Sequence, residues 1–96
     1  MRKYELMYII NAALEEGARQ EVIENFKSVV EKGNGVVSDV TEMGMRDFAY
    51  EIDHMTKGFY VLMTFEADVE LVVELERLMR LNLNIIRHLN VKLDEE

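Results

Sequence analysis

Two hydrophobic rhythms alternate along the chain. From Tyr4 to Ile10 every second residue is apolar or aromatic, so Tyr4, Leu6, Tyr8 and Ile10 share one side of a predicted first strand. Asn11 to Leu14 reads as a connection. From Glu15 to Lys32 the period lengthens. Ala18, Val22, Phe26, Val29 and Val30 stand at helical spacing, and acid in the first turn suits the positive end of the helix dipole. Gly33-Asn34-Gly35 tolerates positive φ and ends that helix. Val36 to Ile52 is β-like throughout. It predicts one long strand bent at Gly44, because a glycine inside a strand marks a bulge or a close backbone approach. Within it Phe48, Tyr50 and Ile52 fall on one side, and Asp47, Ala49 and Glu51 on the other. Asp53 to Gly58 reads as a turn. Phe59 to Phe65 alternates again, with Phe59, Val61, Met63 and Phe65 opposed to Tyr60, Leu62 and Thr64. Asp68 to Leu81 predicts a second helix, with Asp68 as N-cap and Leu71, Leu75 and Leu78 as its core stripe. Asn82-Leu83-Asn84 is a loop, Ile85 to Leu93 a last strand, and Asp94-Glu95-Glu96 an acidic end.

The order β-α-β-β-α-β predicts an α+β, ferredoxin-like βαββαβ fold. Two helices lie on one face of a four-stranded antiparallel sheet, in a single domain spanning residues 1–96. No linker, repeat or low-complexity segment interrupts it. The second face of such a sheet has no helix to cover it, so function is to be sought among the residues it carries. The fold alone decides nothing about function.

Composition narrows the choice. The chain has 96 residues, enough for one core. It has no cysteine, which excludes a disulfide framework, a thiol nucleophile and cysteine zinc sites, and fits a reducing cytosol. Its amino terminus is charged and then alternates, unlike a signal peptide, and no apolar run approaches the length of a membrane span. The net charge of −8 opposes generic nucleic-acid binding, whose footprint is a basic face. Yet the charge is unevenly placed, with much of the acid in Glu15, Glu16, Glu21, Glu24, Glu66, Asp68, Glu70, Glu74, Glu76 and the tail Asp94-Glu95-Glu96. Many of the bases sit near Arg2, Lys3, Arg46, Arg77, Arg80, Arg87 and Lys92, and of these Arg2, Arg46, Arg87 and Lys92 lie at or near strands. A local basic patch on an acidic body is compatible with that distribution. There is no proline, against a usual frequency of about 5%.

Catalytic chemistry finds little support. His54 and His88 are the two histidines, and neither has partners converging on it in sequence. Glu70 and Glu74 share a helix face, as do Glu21 and Glu24, but nothing places an acceptor beside them, and a solvated face explains them. There is no nucleophile elbow and no glycine-rich phosphate loop. An acylphosphatase of this fold would need an arginine after the first strand, and residues 11 to 18 hold no basic group. The chain therefore reads as a non-enzyme with no cofactor and no metal. RNA recognition on an open sheet uses aromatics and arginines. Tyr4, Tyr50 and Tyr60 lie on predicted strands, although cross-strand packing would account for each of them.

Several separated phrases resemble one family. Met1-Arg2-Lys3-Tyr4-Glu5-Leu6-Met7-Tyr8-Ile9-Ile10, Gly44-Met45-Arg46 with Phe48-Ala49-Tyr50-Glu51-Ile52, then Gly58-Phe59-Tyr60 and Ile85-Ile86-Arg87-His88 occur in order and at suitable spacing. Together they resemble the family of the sixth protein of the bacterial small ribosomal subunit. The resemblance implies the fold read above, a place on the cytoplasmic ribosome, and two partners: the central domain of 16S rRNA and protein eighteen of the same subunit. It further implies that Arg2, Tyr4, Arg46, Tyr50, Arg87, His88 and Lys92 occupy positions of RNA or protein contact. An acidic body would then attract a basic partner protein.

The chain departs from the family's pattern. Asn11-Ala12-Ala13 stands where an Asn-Pro phrase is usual, and Asp47 stands where a second basic residue commonly follows Arg46. Val69, Val72, Val73 and Leu83 give the second helix and the loop after it more apolar surface than one stripe requires. The alternative expectation is therefore an interaction scaffold, natural or redesigned, that forms a homo-oligomer through helix two.

Overall fold

The structure, a computed structural model, describes residues 1–52 and 54–93. Six elements follow in order: β1 (Arg2–Asn11), α1 (Glu16–Lys32), β2 (Val36–Ile52), β3 (Met55–Ala67), α2 (Val69–Leu81) and β4 (Ile85–Lys92). The strands form one antiparallel sheet in the order β2-β3-β1-β4, with both helices packed on one side. This is the predicted ferredoxin-like arrangement.

Alternation along β1 and β3 places Tyr4, Leu6, Tyr8, Ile10, Phe59, Val61, Met63, Phe65 and Ala67 under the helices. There α1 contributes Ile23, Phe26 and Val30, and α2 contributes Val72, Leu75 and Met79. Aromatic rings organise this core. Tyr4 stacks on Phe65 with centroids 5.6 Å apart, and Tyr8 meets Phe26 edge-on at the same separation.

Five expectations change in detail. The core stripe of α2 is Val72, Leu75 and Met79, with Leu71 and Leu78 only partly buried. Both stripes are centred on Leu75. The other flank is occupied because Leu71 turns toward the helix-ending turn, where a Cβ on Gly33 would come within 2.6 Å of its side chain. On α1 the missed core residue is Ile23, while Val22 and Val29 sit at the margin. Asp68 is the N-cap of α2 by backbone conformation but makes no side-chain capping bond. Its carboxylate lies 3.9 Å from the N-terminal ammonium instead.

The fourth change concerns the turn expected over 53–58. Asp53 lies outside the described residues, and β3 already begins at Met55, which pairs with Ile52. His54, at φ 64°, occupies the turn. Gly58 is a strand residue. A Cβ there would stand 2.4 Å from Ile9 and 3.0 Å from Phe48, so its glycine permits a close approach instead of a reversal. Gly44 behaves as expected. It has φ +94°, and the β2–β3 register shifts between Glu42 and Gly44. The expected end of the last strand at Leu93 becomes Lys92, and the acidic end at 94–96 lies outside the described residues.

Candidate functional site

The same alternation that fills the core fixes what the uncovered face carries. Reading across the sheet, Arg87, Ile9, Tyr60 and Gly44 form one row, and Leu89, Met7, Leu62 and Thr41 the next. Val91, Glu5, Thr64 and Asp39 form a third, and Asn11, Gly58 and Arg46 lie at the hairpin end. Apolar residues dominate the middle of this surface. Leu89 is 57% exposed and Val91 43% exposed, whereas Met7 and Leu62 are half-buried. A cavity of about 280 Å³, lined by Met7, Ile9, Arg87, His88 and Leu89, opens between β1 and the edge strand β4.

Phe48 reaches over Gly58, and its ring lies 6.3 Å from that of Tyr60. This small cluster buries Ile9 to 6% exposure on a face without helices. Arg46 and Arg87 flank it from opposite sides, three strand spacings apart, or about 15 Å. The surface therefore has an apolar centre with a guanidinium on each side. Such an arrangement can dock an apolar partner surface while the arginines meet phosphates or carboxylates.

The residues singled out by resemblance divide between the two faces. Arg46 and Arg87 share the uncovered face, and Tyr50, 70% exposed, stands on the hairpin beyond it. Arg2, His88 and Lys92 pair with Ala67, Tyr8 and Tyr4, so alternation turns them to the helix side, at the sheet margin. Tyr4 is a correction. It is 7% exposed and stacked on Phe65, because its position in the period-two pattern belongs to the core set. Asp47 stands opposite Lys57 on the helix side, whereas Arg46 stands opposite Gly58 on the uncovered side. The acid therefore projects to the opposite face of the strand from Arg46. Sequence reasoning missed Ile9, Met7, Phe48, Leu62, Leu89 and Val91 as members of this surface. The signal was present in the off-phase residues of β1 and β4, whose apolar content exceeds what a solvated face needs.

The expected apolar surface on helix two is corrected at its centre. Val72 is 6% exposed and belongs to the core, leaving Val69 and Val73 outside and Leu83 in the following turn. Glu74 is no acid–base partner of Glu70. Its two oxygens accept from Arg77 at 2.9 and 2.7 Å, and that hydrogen bond is the main cause holding its carboxyl below the usual carboxylate range.

The family model described as "Ribosomal protein S6" matches residues 3–92. The chain belongs to the ribosomal protein S6 family. It is 47% identical over 96 residues to small ribosomal subunit protein bS6 of Halalkalibacterium halodurans, covering the whole of both chains. Identity to the bS6 protein of Exiguobacterium sp. is 42%, over 96% of this chain and 97% of that one. The crystal structure of 30S ribosomal protein S6 from Thermotoga maritima superposes with a TM-score of 0.92 at 35% identity, covering 96% of this chain and 87% of that one. A protein from Arabidopsis thaliana superposes with a TM-score of 0.58 at 13% identity and covers all of this chain and 96% of its own, which is a likeness of fold alone. The S6 family is a structural, non-enzymatic class, and similarity of this extent gives the self-associating scaffold no support.

Proposed function

We propose that this S6-family chain works on the small subunit of the cytoplasmic ribosome. There it binds the central domain of 16S rRNA jointly with protein eighteen. The observation that carries the reading is the uncovered sheet face. It pairs an apolar centre of Met7, Ile9, Leu62, Leu89 and Val91 with the flanking Arg46 and Arg87. An exposed apolar patch of this kind calls for a protein surface, and the cations call for phosphate. The net charge of −8 makes RNA binding by the chain alone weak and recruitment of a basic partner favourable. Phosphate neutralisation and shape recognition would then be shared between the two proteins. Arg46 and Arg87 would contribute cations at the interface, and Tyr50 an exposed ring on the hairpin.

Filter binding of a 16S central-domain fragment tests this directly. The chain alone is expected to retain little RNA. With protein eighteen present, it is expected to strengthen the complex, with an affinity that falls as salt rises. Retention by protein eighteen that is unchanged on adding this chain would sink the proposal.

A further inference from the structure

Three cations surround the root of the β2–β3 hairpin, and none has an anionic partner among the described residues: Arg46, Lys57 and Arg19. Arg46 projects from the uncovered face opposite Gly58, and Lys57 lies opposite Asp47 on the helix side. Arg19 reaches the same place from α1. Its guanidinium carbon lies 4.0 Å from the centroid of the Phe59 ring, and Phe59 pairs with Met45, the neighbour of Arg46. Its Nε is buried and has no hydrogen-bond partner among the described residues.

Helical spacing puts Glu15 and Glu16 four and three residues before Arg19, the usual reach for an ion pair, yet neither pairs with it. An arginine seated on an aromatic ring has already lost much of its rotamer freedom, and the donors of this one remain unspent. That planar fork is preorganised for an anion that offers several acceptor oxygens, which a phosphate group supplies. Glu15, Glu16, Glu42 and Asp47 stand around the cluster, with Glu42 engaged by the Gln20 amide at 3.1 Å. This acid makes the cluster a poor trap for a free anion. It suits a phosphate carried by a chain already held at Arg46.

We infer that Arg19, supported by Lys57, binds the sugar–phosphate backbone of RNA on the helix side of the hairpin root. The RNA-contacting surface thus wraps around the β2–β3 pair instead of ending at the uncovered face. The inference rests on the RNA reading above.

The test uses the full chain with protein eighteen and the central-domain RNA fragment. Arg19→Gln is expected to weaken binding about five-fold at every RNA sequence and to reduce the slope of log affinity against log salt by about one. Arg19→Lys restores the slope but not the full affinity, since a point charge lacks the fork. A second readout does not depend on affinity. The chain has no cysteine, so Arg19→Cys can carry a single iron chelate. RNA backbone cleavage from position 19 is expected beside the cuts made from an Ala49→Cys probe on the hairpin, and none from Glu70→Cys on α2. Wild-type binding with an unchanged affinity and slope in Arg19→Gln, or no cleavage from position 19, overturns this inference and leaves the RNA reading standing. Failure of the wild type to bind RNA with protein eighteen overturns both.

Discussion

On the helix side of the sheet, Leu6, Tyr8, Ile10, Val61 and Phe65 are inaccessible to solvent. One residue away along the same strands, Met7 and Leu62 are half-buried, and Leu89 on the neighbouring edge strand is 57% exposed. Both faces are apolar in their middle rows, and both are made by period-two alternation. The difference lies in what covers them. α1 and α2 close one face and turn its hydrophobicity into stability, while the other face retains a comparable character with no helix over it among the described residues. Apolar content alone therefore does not identify a core residue. The presence of a covering element does.

Substitutions can break this contrast or sharpen it. The largest effect is expected under the helices. Phe65→Ala removes a fully buried ring stacked on Tyr4 and should cost about 3–5 kcal/mol, read from the urea midpoint. Val72→Asp should be at least as damaging, because it places a carboxylate in the core. If it instead left the melting temperature unchanged, Val72 would have to be a surface residue after all.

A smaller loss is expected where the two faces meet in one strand. Gly58→Ala should cost about 1–3 kcal/mol, since its Cβ would press on Ile9 at 2.4 Å and Phe48 at 3.0 Å. Thermal unfolding that shows no loss would mean the uncovered cluster is loosely packed. On the open face itself, Leu89→Asp should alter stability by less than about 0.5 kcal/mol. The same change should weaken association with protein eighteen at least ten-fold in a titration, if this face is where that partner docks. Equal loss of stability and association would erase the distinction between the faces.

The smallest effect near neutral pH is expected for Tyr8→Phe. The Tyr8 hydroxyl is buried without a hydrogen-bond partner among the described residues, so its removal should be close to neutral for stability. Alkaline pH separates the two proteins. Burial, followed by the charges of Glu42 and Glu24, raises the Tyr8 phenol well above its ordinary value of about 10. A value raised in the folded state means that the contribution is complete below the unfolded value. It is lost as pH climbs from there toward the folded value. Stability of the wild type should thus fall above about pH 10 more steeply than that of Tyr8→Phe, as followed by denaturant midpoints across the alkaline range.

The architecture was legible because its signals are local and periodic. Tyr4, Leu6, Tyr8 and Ile10 declare a strand face without reference to anything else, and element order then selects the topology. The functional surface was legible only in part. Arg46, Arg87 and Tyr50 were named through phrases that resemble a family, and the structure leaves all three at the surface. Tyr4 was named the same way and is core. Its place in the alternation of β1 puts it against Phe65, and a resemblance does not separate a packing position from a contact position. Arg19 was invisible in the sequence, because its significance depends on Phe59, forty residues away, lying beneath it. Gly58 was misread for a similar reason. A glycine after lysine near a hairpin suggests a turn, and only the third strand brings Ile9 against it.

The strand order has a consequence for how the molecule comes into being. β1 is made first, yet it lies between β3 and β4, and β4 is made last. During synthesis the first strand keeps one hydrogen-bonding edge vacant until residues 85–92 have emerged. At roughly 5–20 residues per second that interval is of the order of 4–15 s. For that time the nascent chain exposes a hydrophobic ribbon with an unsatisfied border, the kind of template on which neighbouring chains can assemble. Completion of the carboxyl-terminal strand therefore acts as a seam. It turns β1 from an edge into an interior strand, and a product ending before it would leave β1 as the bare edge of a three-stranded sheet.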